Sequence, residues 1–197
     1  MGDSPPAATS FAYRRVVLLG FMTSGKTEVG RSLARRLGWR HLDLDQEIER
    51  ATGKSAARIF TEEGEAAFRR LEVGLTPAIL ELEEVVLSPG GGWITNSGLL
   101  ESLPFGTLSV WLKVSPEEVL RRLHGGSQQS VRPLLQTTDP MSRIRELLAQ
   151  REELYGKATI SIETDRRSVA EIVSYLDSFL RDASRQVTST NPTHGPK

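Results

Sequence analysis

Gly20-Phe21-Met22-Thr23-Ser24-Gly25-Lys26-Thr27 (GFMTSGKT) is the stretch on which the reading of this chain turns. The octapeptide fits G-x-x-x-x-G-K-[ST], and its flanks are those the pattern requires. Upstream, Val16–Leu19 is a β-branched and leucine run of the kind that forms a buried strand. Downstream, Val29, Leu33 and Leu37 recur at a spacing of four with Ala34 beside them, which is helical. A glycine loop between a strand and a helix N-terminus turns successive N–H groups inward, where they attract phosphate oxygens. Gly20 and Gly25 permit backbone geometry that a side chain would block. Lys26 is spaced to reach β- and γ-phosphates, and Thr27 to offer its hydroxyl to Mg²⁺. The competing reading is a glycine turn that merely joins strand to helix.

Outward from this loop, short apolar runs alternate with helical patterns. His41–Asp45 reads as a second strand and Gln46–Thr52 as a helix stopped at Gly53. Glu65–Glu81 reads as a long helix, and Val85–Ser88 as a strand cut off by Pro89 and three glycines. Leu108–Leu112 is a fourth strand, and Ser115-Pro116 starts another helix. Asp139-Pro140 opens a helix running to about Gly156, Thr159–Ile162 is the fifth strand, and Ser168 caps a last helix with Val169, Ile172, Val173, Leu176 and Leu180 on one face. Alternation with short connections predicts a parallel sheet covered on both faces. Ligands of such sheets bind beyond the carboxyl ends of the strands. The Gly20 loop, the Asp43/Asp45 pair and Gly90–Gly92 all fall there.

Length and composition narrow the classes. A chain of 197 residues, 38% apolar and 25% charged, suits one soluble domain with its own core. Its formal net charge is zero, so the whole molecule carries no electrostatic footprint for nucleic acid. No apolar run reaches membrane-spanning length. There is no cysteine, which excludes disulfides and thiolate metal sites and is compatible with a reducing cytoplasm, the expected location. The opening MGDSPPAATS lacks the pattern of a signal peptide, and Pro6 stands where a myristoylation signal wants Ser or Thr. Residues 1–13 and 184–197 read as loose tails around a body at 14–183.

Several residues have two readings. Asp43 and Asp45, on an extended segment, would point to one side and serve Mg²⁺, a proton or substrate hydroxyls; at a helix start they would merely suit its dipole. Arg69 stands four residues after Glu65 and three before Glu72, which also fits plain surface ion pairs. Gly90-Gly91-Gly92 costs backbone entropy without packing and makes sense where a ligand touches main chain. Gly125–Ser130 is small and polar, poor material for a packed element. Trp39 and Trp111 read as packing, and His41, His124 and His194 lack ligand-like spacing.

Taken in order, these pieces resemble the shikimate kinase family. The resemblance runs through the phosphate loop, Asp43-x-Asp45, Gly64-Glu65-x-x-Phe68-Arg69-x-x-Glu72, the triple glycine, Arg132-Pro133-Leu134-Leu135 and Arg151-x-x-x-Tyr155, over about residues 14–182. It implies a P-loop NTPase-type three-layer α/β/α sandwich with a five-stranded parallel sheet and a mobile lid at about 123–137. It implies ATP-dependent phosphorylation of shikimate to shikimate 3-phosphate by a monomer with one Mg²⁺ per site. Thr23, Ser24, Gly25, Lys26, Thr27 and Glu28 would line the ATP site together with Arg132 and Arg167. Arg121 or Arg122 would flank the adenine from the other side. Asp45, Arg69, Gly91 and Arg151 would bind shikimate. Lys26, Asp43 and Arg132 would carry the chemistry, with Thr27 and Asp43 at the metal, the latter through water. A planar guanidinium grips a carboxylate with two hydrogen bonds, so the arginines suit such an acceptor.

The chain departs from the family pattern at Thr23, more often glycine, and at Glu28, usually a small hydroxyl residue. Pro89 and Trp93 bracket the glycines unusually, and the lid is slightly longer. The Thr23 Cβ is expected to restrict the loop, and Glu28 to weaken ATP binding. Competing functions are a kinase of another polyol acid such as gluconate, and a nucleotide-binding module that regulates without transferring phosphate.

Overall fold

The computed structural model describes residues 12–125 and 139–189. Five strands form one sheet: β1 (Arg15–Leu19), β2 (Arg40–Asp43), β3 (Val85–Ser88), β4 (Thr107–Lys113) and β5 (Ile160–Glu163). Every pairing is parallel and the order is β2-β3-β1-β4-β5. The helices are α1 (Lys26–Leu37), α2 (Leu44–Thr52), α3 (Ala56–Glu62), α4 (Glu65–Leu80), α5 (Pro116–Gly125), α6 (Pro140–Tyr155) and α7 (Val169–Ser189).

Strand periodicity divides the core. Val16 and Leu18 of β1 point into a cluster with Val29 and Leu33 of α1 and Ile172 and Leu176 of α7. Val17 and Leu19 point the other way, into a cluster with Leu44, Ile48, Phe68 and Tyr155. Side chains alternate across a strand, so a run apolar at every position is buried on both faces. This is the predicted three-layer sandwich. The connection from β3 to β4 crosses over β1, so the phosphate loop after β1 and the glycine run after β3 leave neighbouring strands at one edge. Such switch points are where open α/β sheets bind ligands.

Four expectations change. The second strand ends at Asp43, because Asp43 Oδ1 accepts from Asp45 N (3.2 Å) and caps α2. Asp45 is therefore in the first helical turn rather than on an extended segment. α3 was not foreseen; Ser55 caps it, accepting from Arg58 N. The break placed at 184 lies inside α7, which continues to Ser189. Ser184 Oγ donates to Leu180 O (2.7 Å) and accepts from Ala12 N (3.0 Å), and Tyr13 stacks on Phe179, so both supposed tails begin with residues tied to the body. Of the expected lid, 123–125 ends α5; residues 126–137, Arg132 among them, lie outside the described residues.

Candidate active site

The phosphate loop is shaped by backbone. Gly20 has φ +148°, and a Cβ there would lie 2.6 Å from Leu112 O and 2.7 Å from Ser24 Oγ. Gly25 (φ +93°) enters α1 in the left-handed region and supplies no side-chain cap, so the helix presents the positive end of its dipole to a phosphate. Thr23 sits at φ +58°, a conformation that costs a β-branched residue about 1–2 kcal/mol. This is the physical content of the restriction expected there. Arg122 holds it, donating from Nη1 to Thr23 O (2.8 Å) and from Nη2 to Thr164 O (2.9 Å). The hydroxyls of Thr23 and Ser24 are buried with no partner among the described residues, which suits a ligand rich in acceptor oxygens.

Lys26 Nζ donates to Gly20 O (2.8 Å) and Phe21 O (2.9 Å), folded back along its own loop. Thr27 Oγ1 donates to Asp43 Oδ2 (3.0 Å). That pair of hard oxygens fits Mg²⁺, which takes one or two protein oxygens and completes its shell with water and phosphate. Among the described residues no group of three or more acidic or histidine side chains could hold a metal alone. Ser88 Oγ donates to Lys26 O (3.1 Å) and meets His41 Nε2 at 3.0 Å, so the end of β3 braces the start of α1. His41, given no role from sequence, belongs to that brace; burial lowers its pKa.

The acceptor side is built from charged side chains over glycine. Arg69 Nη1 donates to Glu72 Oε2 (2.7 Å), and its Nη2 and Nε donate to Glu65 Oε1 (2.8 and 3.2 Å). A Cβ on Gly92 would lie 2.0 Å from Arg69 Nη2, so any side chain there would displace the guanidinium from this position. A Cβ on Gly90 would lie 3.1 Å from Asp45 Oδ1 and 3.5 Å from Glu72 Oε1. Gly91 O accepts from Arg151 Nη1 (3.1 Å) and from the Tyr155 hydroxyl (2.6 Å). The structure therefore brings Asp45, Arg69, Gly91 and Arg151 together around the glycine run.

Electrostatics here are unusual. Burial, reinforced by the negative charges of Asp43 and Glu72, pushes Asp45 up to about 6. Burial also raises Glu72, against the pull of Arg69. Asp45 Oδ1 and Glu72 Oε1 are buried with no hydrogen-bond partner among the described residues. A carboxylate left so is costly unless a donor reaches it, and a polyhydroxylated acceptor supplies donors. Glu72 and Tyr155 stand in the sequence motifs without an assigned task, and Asn96, which donates to Glu72 Oε2 (2.9 Å), lies outside every motif. An i,i+3 ion pair looks the same on paper whether it is wet or buried.

A groove beside the phosphate loop is lined by Gly25, Glu28, Arg121, Arg122, Arg166 and Arg167. Arg122 is committed to Thr23 O, Thr164 O and Glu118, while Arg121 is exposed and, among the described residues, pairs with Glu118. Glu118 is lowered to about 2, first by the hydrogen bond from Arg121 and then by that from Arg122. Glu28 is exposed at this groove, in the first turn of α1.

A family model for shikimate kinase matches residues 22–181. The chain is 40% identical over 196 residues to a shikimate kinase of Synechococcus sp. (strain CC9605), covering 95% of this chain and 96% of that one. The chain belongs to the shikimate kinase family. A second relative, the shikimate kinase of Mycobacterium avium (strain 104), is 42% identical over 177 residues, covering 88% of this chain and 98% of its own length. Among solved structures, the shikimate kinase of Acinetobacter baumannii in complex with shikimate superposes with a TM-score of 0.77 at 34% identity, covering 86% of this chain and 94% of that one. The shikimate kinase fold thus accounts for the sandwich and for the convergence of loop, acids and glycines at one sheet edge.

Proposed function

We propose that this chain transfers the γ-phosphoryl group of MgATP to the 3-hydroxyl of shikimate, in chorismate biosynthesis. One observation carries the reading. Two arginines and Asp45 converge on a glycine floor beside the Thr27–Asp43 pair at the mouth of a phosphate loop. The arginines suit the acceptor's carboxylate, Asp45 its ring hydroxyls, and the loop the phosphates.

Phosphoryl transfer depends mainly on positioning and on neutralising charge. Lys26 leaves its loop carbonyls for the β- and γ-phosphates. Thr27 and Asp43, the latter through water, would hold Mg²⁺, which would supply charge neutralisation at the phosphoryl oxygens. Asp43 also receives the acceptor's proton, late, because the transition state is loose. Gly25, Ser24, Thr23 and Glu28 line the ATP path, with Arg167 toward the adenine. Arg132, outside the described residues, adds positive charge at the phosphates in this reading. Asp45, Arg69, Gly91 and Arg151 orient shikimate.

Monomeric state and a cytoplasmic location are part of the same proposal. They are supported by family membership and by the finding that, among the described residues, no helix is long and apolar enough to cross a membrane.

The test is ADP release by the purified protein with MgATP and shikimate, gluconate or no acceptor. Shikimate-dependent turnover of about one per second or more is expected. Turnover with gluconate instead, or tight ATP binding with no transfer, would overturn the reading.

A further inference from the structure

Arg69 has one anchored side and one exchangeable side. Its Nη1 is bound to Glu72, whose side chain is 0% exposed and is itself held by Asn96. Its Nη2–Nε edge is bound to Glu65, whose side chain is 52% exposed. The rings of Phe60 and Phe68 lie 5.9 and 5.8 Å from the guanidinium, and the Gly92 backbone closes the side beneath Nη2. The guanidinium thus has little room to turn. A carboxylate gains two parallel hydrogen bonds from a guanidinium only along a Nη1–Nη2 or a Nη2–Nε edge. Both edges share Nη2, and Nη2 is bound to Glu65.

From this geometry we infer that Glu65 competes with the acceptor's carboxylate for the Nη2–Nε edge of Arg69, and so sets the affinity for that acceptor. The inference rests on the functional reading above, in which Arg69 binds that carboxylate. Glu65 is the first residue of α4, directly after Gly64 at φ +82°, and it lies one helical turn from Arg69. An internal carboxylate on the same helix is present at high effective concentration and raises the acceptor concentration needed for half-saturation. Glu72 is not such a competitor. It is buried, and removing it would strand a charged arginine.

The sign of the effect separates competition from a supporting role. A residue that merely props Arg69 weakens acceptor binding when it is removed. A competitor strengthens binding when it is removed. In Glu65→Gln the KM for shikimate at saturating MgATP is expected to fall about two- to fivefold, the range an exposed ion pair supplies. The change is confined to the acceptor, and the ATP KM stays as in the parent. Glu65→Asp keeps the charge at the helix start but shortens the reach to Arg69. It is expected to lower the shikimate KM as well, by less, which distinguishes the contact from the mere field of a nearby charge.

Parent, Glu65→Gln and Glu65→Asp are assayed side by side, with calorimetric titration of shikimate into each. An unchanged or raised shikimate KM in Glu65→Gln overturns the inference. So does a fall in Glu65→Gln with Glu65→Asp indistinguishable from the parent. A parent protein that does not phosphorylate shikimate overturns the functional reading, and this inference with it. Normal parent turnover with no gain in Glu65→Gln overturns the inference alone.

Discussion

The phosphate loop and the acceptor floor meet at one sheet edge but are built on opposite plans. The loop is a contiguous stretch shaped by backbone: glycines at positive φ, a helix N-terminus with no side-chain cap, and two hydroxyls without a partner among the described residues. The floor is assembled from α2, α4, α6 and the glycine run, and its working parts are buried charges that hold one another. Loop geometry is specified mainly by its own residues, with Arg122 of α5 bracing Thr23 O, so its failures should be mainly chemical. Floor geometry is specified by tertiary contacts, so its failures should also reach stability.

Substitutions can break or sharpen this contrast. The largest effect is expected from Lys26→Ala. Loss of a charge aimed at the transferring phosphoryl group should lower kcat about a thousandfold, as for other preorganised electrostatic groups. Shikimate binding without nucleotide should stay unchanged in calorimetry. A parallel loss of shikimate affinity would show that the two halves are not separable.

Arg151→Lys should act on the floor alone. Arg151 is buried, donates to Gly91 O and lies 5.7 Å from the Phe21 ring centre. Lysine keeps the charge but loses the planar fork, so the shikimate KM should rise about tenfold. A comparable rise in the ATP KM would count against the division of labour.

The next effect is on stability and has a sign. Asp45 is raised to about 6 in the folded protein, mainly by burial, against about 4 when unfolded. A raised folded pKa means that the protonated form is favoured by folding. Asp45 therefore costs stability as pH rises through this window, by about 3 kcal/mol at the upper limit. Asp45→Asn should be close to parent stability below about pH 4 and should melt several degrees higher near pH 8, in metal-free buffer, while losing shikimate affinity. A melting difference independent of pH would contradict the buried-charge account of the floor.

The smallest effect is expected in the loop. Thr23→Gly should relieve the left-handed strain at φ +58°, in part offset by the freer unfolded chain. The melting temperature should rise by about 1–3 °C. A fall would mean that the Thr23 side chain stabilises the loop in spite of its conformation.

The same contrast explains what the sequence made legible. β1 and β3 were visible because uninterrupted apolar runs bounded by glycine or proline have few alternative readings, and β4 because Ser109 is the one polar residue inside its apolar run. The loop was visible because its meaning lies in eight adjacent residues. The floor was only half visible. Arg69 and Glu72 were on the page, but their burial depends on Asn96 and the glycine run arriving from elsewhere in the chain. Asp45 was placed on a strand because capping by Asp43 is decided by one side-chain hydrogen bond. α3 buries only Ile59, too little for a periodic signal. The last helix was cut short because Ser184 looks polar and loose, whereas its hydroxyl joins Leu180 O to Ala12 N across the body.

The central claim is that Arg69 serves the acceptor and not the nucleotide. The measurement that tests it is the pair of Michaelis constants for Arg69→Ala. The account predicts a shikimate KM raised at least about tenfold, the loss of a charge-assisted pair, with the ATP KM within about twofold of the parent. Equal rises in both constants, or no rise in either, would contradict it.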